Sequence, residues 1–241
     1  MPSRLSMTLQ GLAVSALTAV GSVVVWTKHS HFEPMDLATD PTIKSLLFSK
    51  FNPNKNPPFY DVCVRRIPLS KLDTELIEDA RKGGSKLVER FAQGIWAGRG
   101  FTIQRLLENY QHKNETTKHQ LWTKRDLRES TYPIGTELAD HFNVVDRPNS
   151  TAILFRCGDS PLKSPDGPRP SDGLFEMSAE TNFDSGFAEF RLKTIFYQGE
   201  GKAEKAPFAG EWFMPWVHRV YARIWMETGV GNCKKGMFVI E

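Results

Sequence analysis

The chain has 241 residues, 40% hydrophobic and 24% charged, which fits one domain of ordinary size, hardly two, and excludes collagen, coiled coil and a disordered chain. Its 31 basic and 28 acidic side chains leave a net charge of +3, too small and too scattered for the footprint of a nucleic-acid binder. Cys63, Cys157 and Cys233 stand far apart with no Cys-x-x-Cys, so neither a zinc cage nor a disulfide framework is written here, and at most one bridge can form.

Residues 9–26 carry no charge over about eighteen positions, roughly the minimum for crossing a hydrocarbon core. The competing reading is a cleaved signal peptide, with Arg4 as a short basic start and the small residues Ala19, Gly21 and Ser22 near a cleavage point. Val23, Val24 and Val25 prolong the apolar run, and Trp26 followed by Lys28 resembles an interfacial anchor, which favours an uncleaved single-pass anchor over 1–28. Two sequons, at Asn114 and Asn149, lie in polar, turn-like surroundings. They are the candidate glycosylation sites and favour a lumenal body; the plain alternative is two unmodified surface asparagines.

Residues 29–58, rich in proline and asparagine, predict a tether with one short helix around 42–51. A folded domain over 59–229 follows. It starts with an alternating β-branched strand at 60–67, ended by Pro68, and a helix capped at Ser70 and stopped by Gly83 and Gly84. A second helix from Ser85 places Leu87, Val88, Phe91 and Ile95 on one face; a third, after Gly100, carries Phe101, Ile103, Leu106 and Leu107. The polar stretch 109–130 reads as a solvated insertion or a partly helical loop, without function. Strands at 142–146 and 151–157 form a hairpin, and 158–173, with its prolines and turn dipeptides, predicts a long mobile loop. Two longer strands, 174–183 and 187–197, join through a tight turn. A last helix spans 212–228, and 230–241 is a frayed tail.

Period-two counting puts Phe175, Met177, Ala179, Thr181 and Phe183 on one face of their strand, and Ala188, Phe190, Leu192 and Phe196 on one face of the next. This apolar sheet face needs a cover, and the last helix offers an aromatic stripe: Trp212, Trp216, Val220 and Ile224, flanked by Phe213, Val217, Tyr221 and Trp225. The resulting fold class is α+β, a curved antiparallel sheet gripping a long C-terminal helix, preceded by the membrane segment. A sheet more curved than its side chains can fill leaves an apolar cavity, so the stripe reads either as plain core or as the lining of a hydrophobic site.

The run Pro215 to Trp225 around His218 and Tyr221, the strand 187–193 and the Ile134-Gly135 segment resemble a domain-of-unknown-function family of bacteria and fungi, over roughly residues 60–228. That family is similar to the START-like, helix-grip superfamily of polyketide cyclases and lipid carriers. The resemblance implies a hydrophobic ligand pocket and carries over no catalytic residues; the insertions at 109–130 and 158–173 depart from it.

No phosphate loop, nucleophile elbow or metal-ligand motif occurs, so no nucleotide or metal cofactor is expected, and the glycines of the Gly94 to Gly100 run have the wrong context for a dinucleotide fingerprint. The 6 histidines are scattered and make no site in the sequence. His218, among aromatic residues, is the candidate general acid or base and Tyr221 a polarising donor, against the plain reading of a structural histidine and a packed tyrosine. Candidate ligand-binding residues are Trp96 and Arg99 at a helix break, with Phe175, Met177, Phe190, Trp212 and Trp216. Arg156, Glu180, Glu189 and Arg191 read as cross-strand ion pairs on the solvated face. The expected protein is membrane-anchored and binds a hydrophobic small molecule, as a cofactor-free cyclase or isomerase; the alternatives are a non-catalytic lipid carrier or a partner-binding domain. Its expected partners are the small molecule and the lipid membrane, not nucleic acid.

Overall fold

A computed structural model describes residues 21–236. The element order is β1 His31–Glu33, α1 Leu46–Phe51, β2 Phe59–Pro68, α2 Thr74–Arg81, α3 Lys86–Trp96, α4 Thr102–His112 and α5 Lys124–Glu129, followed by β3 Glu137–Leu138, β4 Phe142–Asn149, β5 Ala152–Gly158, β6 Asp172–Asn182, β7 Phe187–Tyr197 and α6 Phe213–Asn232. The fold is α+β: one 7-stranded antiparallel sheet in the order β1-β2-β7-β6-β5-β4-β3, with a C-terminal helix. Of the candidate membrane segment only residues 21–26 are described, and they are helical. No helix among the described residues is long and apolar enough to cross a membrane.

Alternation builds the two faces of the sheet. Ile153, Phe155, Phe175, Met177, Ala179, Ala188, Phe190 and Leu192 form one core with α3 and the second half of α6. The opposite face, expected to be solvated, is dry at one end, where Leu154, Leu174, Ile195 and Tyr197 pack on Phe51 of α1. The expected tether therefore folds onto the sheet. Lys193 Nζ meets Asp40 Oδ2 at 2.8 Å, Thr42 Oγ1 donates to Glu176 Oε2 at 2.8 Å, and β1 extends the sheet beside β2.

Three other expectations are corrected. Residues 109–130 hold a buried Trp122, whose Nε1 donates to the Thr117 carbonyl at 2.7 Å, and α5, capped reciprocally by Thr123 and Asp126 with Leu127 buried beneath; the stretch is partly helical, as its alternative reading had it, but packed rather than solvated. The loop between β5 and β6 is organised around two fully buried arginines. Arg156 grips Asp172 with two hydrogen bonds, 2.8 and 2.6 Å, while donating to the Gly167 carbonyl; Arg169 Nη1 donates to the Asp159 carbonyl at 2.9 Å. Turn dipeptides marked the loop, but its carbonyls point inward at guanidinium groups, which replaces missing backbone ladders. Burial pulls the Asp172 carboxyl above its ordinary value despite Arg156 at its side. Finally, α6 passes Gly229 and ends at Asn232, Val230 and Cys233 are fully buried, and the Lys235 N–H donates to the Lys71 carbonyl at 3.1 Å, so the tail is docked as far as Lys235.

Glycines set how closely α6 approaches. A Cβ on Gly94 would lie 2.5 Å from Asn232 Cβ and 2.9 Å from Gly229 Cα, and one on Gly229 would lie 2.6 Å from the Phe91 ring. The glycines of the Gly94 to Gly100 run thus serve helix crossing. All three cysteines are free and buried; burial pushes the Cys63 and Cys157 thiols up to about 12 and raises that of Cys233 too.

Candidate functional site: an apolar face on two helices

The second half of α6 is core. Trp225 sits among Trp96, Phe101, Phe175 and Tyr221, with ring centroids 5.1, 5.8, 5.6 and 4.8 Å away, and Trp96 continues the cluster to Phe142 and Phe155 at 4.6 and 5.3 Å. These rings pack against one another between sheet and helix, which is the plain-core reading for this half of the stripe. Hollows of about 350 and 500 Å³ lie on the opposite side of the sheet, the first against Ile43, Phe48 and Asn56, the second among Asp40, Glu176, Arg191 and Lys193.

The first half of α6 overhangs the body. Trp212, Phe213, Met214, Trp216 and Val217 are 79%, 53%, 42%, 54% and 36% exposed. Beside it α4 buries none of its residues, and its apolar side chains Ile103, Leu106, Leu107 and Tyr110 are 75%, 59%, 55% and 91% exposed. The spacing i, i+3, i+4, i+7 correctly signals an amphipathic helix; here the apolar stripe turns outward. Tyr221 Oη donates to Gln104 Oε1 at 2.9 Å and ties the two helices together, so both apolar stripes flank one joint. Patches of this kind mark docking surfaces.

Polar contacts hold the overhang in place. His218 Nε2 lies 3.1 Å from Asp61 Oδ1 on β2, and its ring meets Phe59 and Phe196 edge-on at 5.5 and 5.4 Å. Arg219 Nε approaches the other Asp61 oxygen at 3.7 Å. His218 and Tyr221 therefore spend their polar atoms on different partners, one on β2 and one on α4. Burial pushes the Tyr221 phenol up to about 12.

The expected ligand-binding residues separate into two environments. Trp96, Phe175, Met177 and Phe190 lie in the core, at most 5% exposed; Arg99, Trp212 and Trp216 lie on the surface. The buried Trp96 indole N–H has no hydrogen-bond partner among the described residues. The sequon asparagines Asn114 and Asn149 are both exposed, each accepting hydrogen bonds from the backbone N–H and hydroxyl of the threonine two positions on. Arg156 is buried rather than paired on a solvated face.

The chain that follows the apolar N-terminal segment is fastened to the second, packed half of α6. Val24, Val25 and Trp26 are exposed, and just beyond them Ser30 Oγ donates to Glu227 Oε1 of α6 at 2.7 Å, the same oxygen that Arg65 Nε meets at 3.0 Å. A metal could be held elsewhere: Glu108, His112 and His141 offer donor atoms within 4.8 Å of one another at the end of α4. Sequence reasoning passed over these histidines as scattered; the four-residue step from Glu108 to His112 on one helix was the available signal, and only folding adds His141. Compared with known proteins, the chain matches no family model, no curated protein and no solved structure.

Proposed function

We propose that this protein is a membrane-associated, non-catalytic lipid binder, tethered by its N-terminal apolar segment and engaging lipid through the exposed stripes of α4 and the first half of α6. The observation that carries the reading is the pair of outward-facing stripes on helices joined by the Tyr221–Gln104 hydrogen bond, with two tryptophans among them. Tryptophan suits the boundary between acyl chain and water, and helices lying in that plane gain affinity with every apolar side chain they insert. Sheet, paired helices and closing helix are compatible with a helix-grip arrangement of the lipid-carrier kind, and a lumenal body with glycans on Asn114 and Asn149 belongs to the same proposal.

The test is flotation with phosphatidylcholine vesicles of a chain starting at residue 21, which keeps every described contact while removing most of the apolar segment. It should float with vesicles, and a Leu107→Ser/Trp212→Ser/Trp216→Ser variant should stay at the bottom with unchanged circular dichroism. Equal flotation of both would overturn the reading.

A second reading, a hydrophobic small molecule between sheet and α6, is favoured by the unpartnered Trp96 N–H inside an aromatic cluster. Mass spectrometry of material co-purifying with the protein checks it: a stoichiometric apolar compound, lost in Trp96→Ala, is the expected result there.

A further inference from the structure

At the C-terminal end of α4 two imidazoles present the same edge to the same oxygen. His141 Nε2 lies 2.9 Å from Glu108 Oε2, and His112 Nε2 lies 3.5 Å from it. Their other nitrogens face acceptors: His141 Nδ1 is 3.0 Å from the Gly158 carbonyl, and His112 Nδ1 is 3.8 Å from Asp140 Oδ2. An imidazole whose Nδ1–H is directed at a carbonyl or carboxylate carries its lone pair on Nε2. With this tautomer in both rings, two lone pairs and a carboxylate oxygen converge on the place an electropositive ion would take.

We propose that Glu108, His112 and His141 bind a divalent transition-metal ion, with Asp140 and the Gly158 carbonyl as the outer partners that orient the two rings. A tetrahedral ion with bonds of about 2.1 Å needs donors about 3.4 Å apart. The distances of 2.9 and 3.5 Å from Glu108 Oε2 bracket that value, and all three donors lie within 4.8 Å, so small side-chain rotations complete the set. Two imidazoles and a carboxylate select ions of the zinc, cobalt and nickel type over calcium or magnesium, which prefer all-oxygen shells. Glu108 and Asp140 together balance the double charge. Three protein ligands leave the fourth position to water, and side-chain exposures of 13%, 36% and 29% for Glu108, His112 and His141 let water reach it.

The backbone is arranged for this approach. Ala139 and Asp140, neither of them glycine, both take left-handed conformations, φ 49° and 56°, immediately before His141. Asp140 is fixed there: its N–H donates to Gln120 Oε1 at 2.7 Å, and its Oδ1 accepts from Ser160 Oγ at 2.7 Å, leaving Oδ2 facing His112. The bound ion would join α4, which buries none of its own residues, to the segment entering β4.

The full-length chain, stripped with chelator and freed of any affinity tag, is titrated with Co²⁺ and then Zn²⁺. One equivalent of Co²⁺ should give visible d–d absorption that Zn²⁺ displaces, and Zn²⁺ should raise the melting temperature of the wild type while Mg²⁺ and Ca²⁺ do not. His112→Ala and His141→Ala should each weaken Co²⁺ binding at least about 100-fold, and Asp140→Asn about 10- to 100-fold, through loss of ring orientation. His119→Ala, whose exposed ring pairs with Glu137, should bind as the wild type does. Absence of any Co²⁺ absorption or Zn²⁺-dependent stabilisation in the wild type would leave only proton-mediated ion pairs and overturn the site. So would undiminished affinity in a folded His112→Ala/His141→Ala double variant.

Discussion

Truncating two tryptophans of α6 to alanine separates its packed half from its overhanging half. Trp225 is 6% exposed and touches rings from three other elements, so its removal takes nearly the whole side chain from a closed cluster that relaxes only partly. The expected cost is about 4 kcal/mol. Trp216 is 54% exposed and stacks on Phe213 of its own helix, 6.2 Å away, a contact that builds no core. Its removal should cost about 1 kcal/mol of stability, because little area is re-exposed. Roughly half of an area of about 200 Å² remains for lipid, which at about 25 cal/mol per Å² gives about 2 kcal/mol after incomplete insertion, roughly a thirtyfold loss in vesicle partitioning. Urea titration followed by circular dichroism reads the first quantity: with a slope of about 3 kcal/mol per M, the midpoint should fall by about 1.3 M for Trp225→Ala and about 0.3 M for Trp216→Ala. Vesicle flotation reads the second, and should fall for Trp216→Ala alone. Equal midpoint shifts, or a Trp216→Ala protein that partitions like the wild type, would refute the division of the helix.

A chain beginning at Phe59 should aggregate or melt well below the full chain, since it uncovers Leu154, Leu174, Ile195 and Tyr197 and leaves Lys193 without Asp40; soluble, cooperative folding of that fragment would restore the tether reading. Asp172→Ala should lose about 3 to 5 kcal/mol in denaturant titration and open residues 159–171 to protease, because buried Arg156 loses its carboxylate and the Arg169 backbone N–H loses its acceptor; a loss under about 1 kcal/mol would contradict the pairing. Glu33 accepts from Arg191 and Arg66, and the Arg191 hydrogen bond, foremost, holds its carboxyl below the usual 4.5. As pH falls from about 4.5 the unfolded chain takes up this proton first, so the contribution is full above that pH and is lost on descent through the lower folded value. Glu33→Gln should flatten the acid limb of the stability profile, and an unchanged limb would remove Glu33 from it.

Local pattern alone was enough for element type. The alternation in β6 and β7, the apolar face of α3, Pro68 closing β2 and the aromatic run of α6 all stand where periodicity and turn chemistry place them, because each is a property of residues within a few positions of one another. Local pattern could not say which partner an apolar stripe meets. In α4 the stripe turns to solvent and in α6 only half of it packs, since orientation is decided by which surfaces remain uncovered once the sheet closes. The short helix within residues 34–51 was legible, but its docking was not, because that comes from Lys193, Glu176 and Tyr197, more than 130 positions away, and no nearby pattern encodes such contacts. The loop after β5 is ordered by Arg156, which reaches in from the strand, and by Arg169 within the loop, through carbonyls that no periodic pattern marks. The cluster at the end of α4 is the extreme case: Glu108 and His112 share a helix, but His141 and the Gly158 carbonyl join them only through the pairing of β4 with β5, which tertiary structure alone decides.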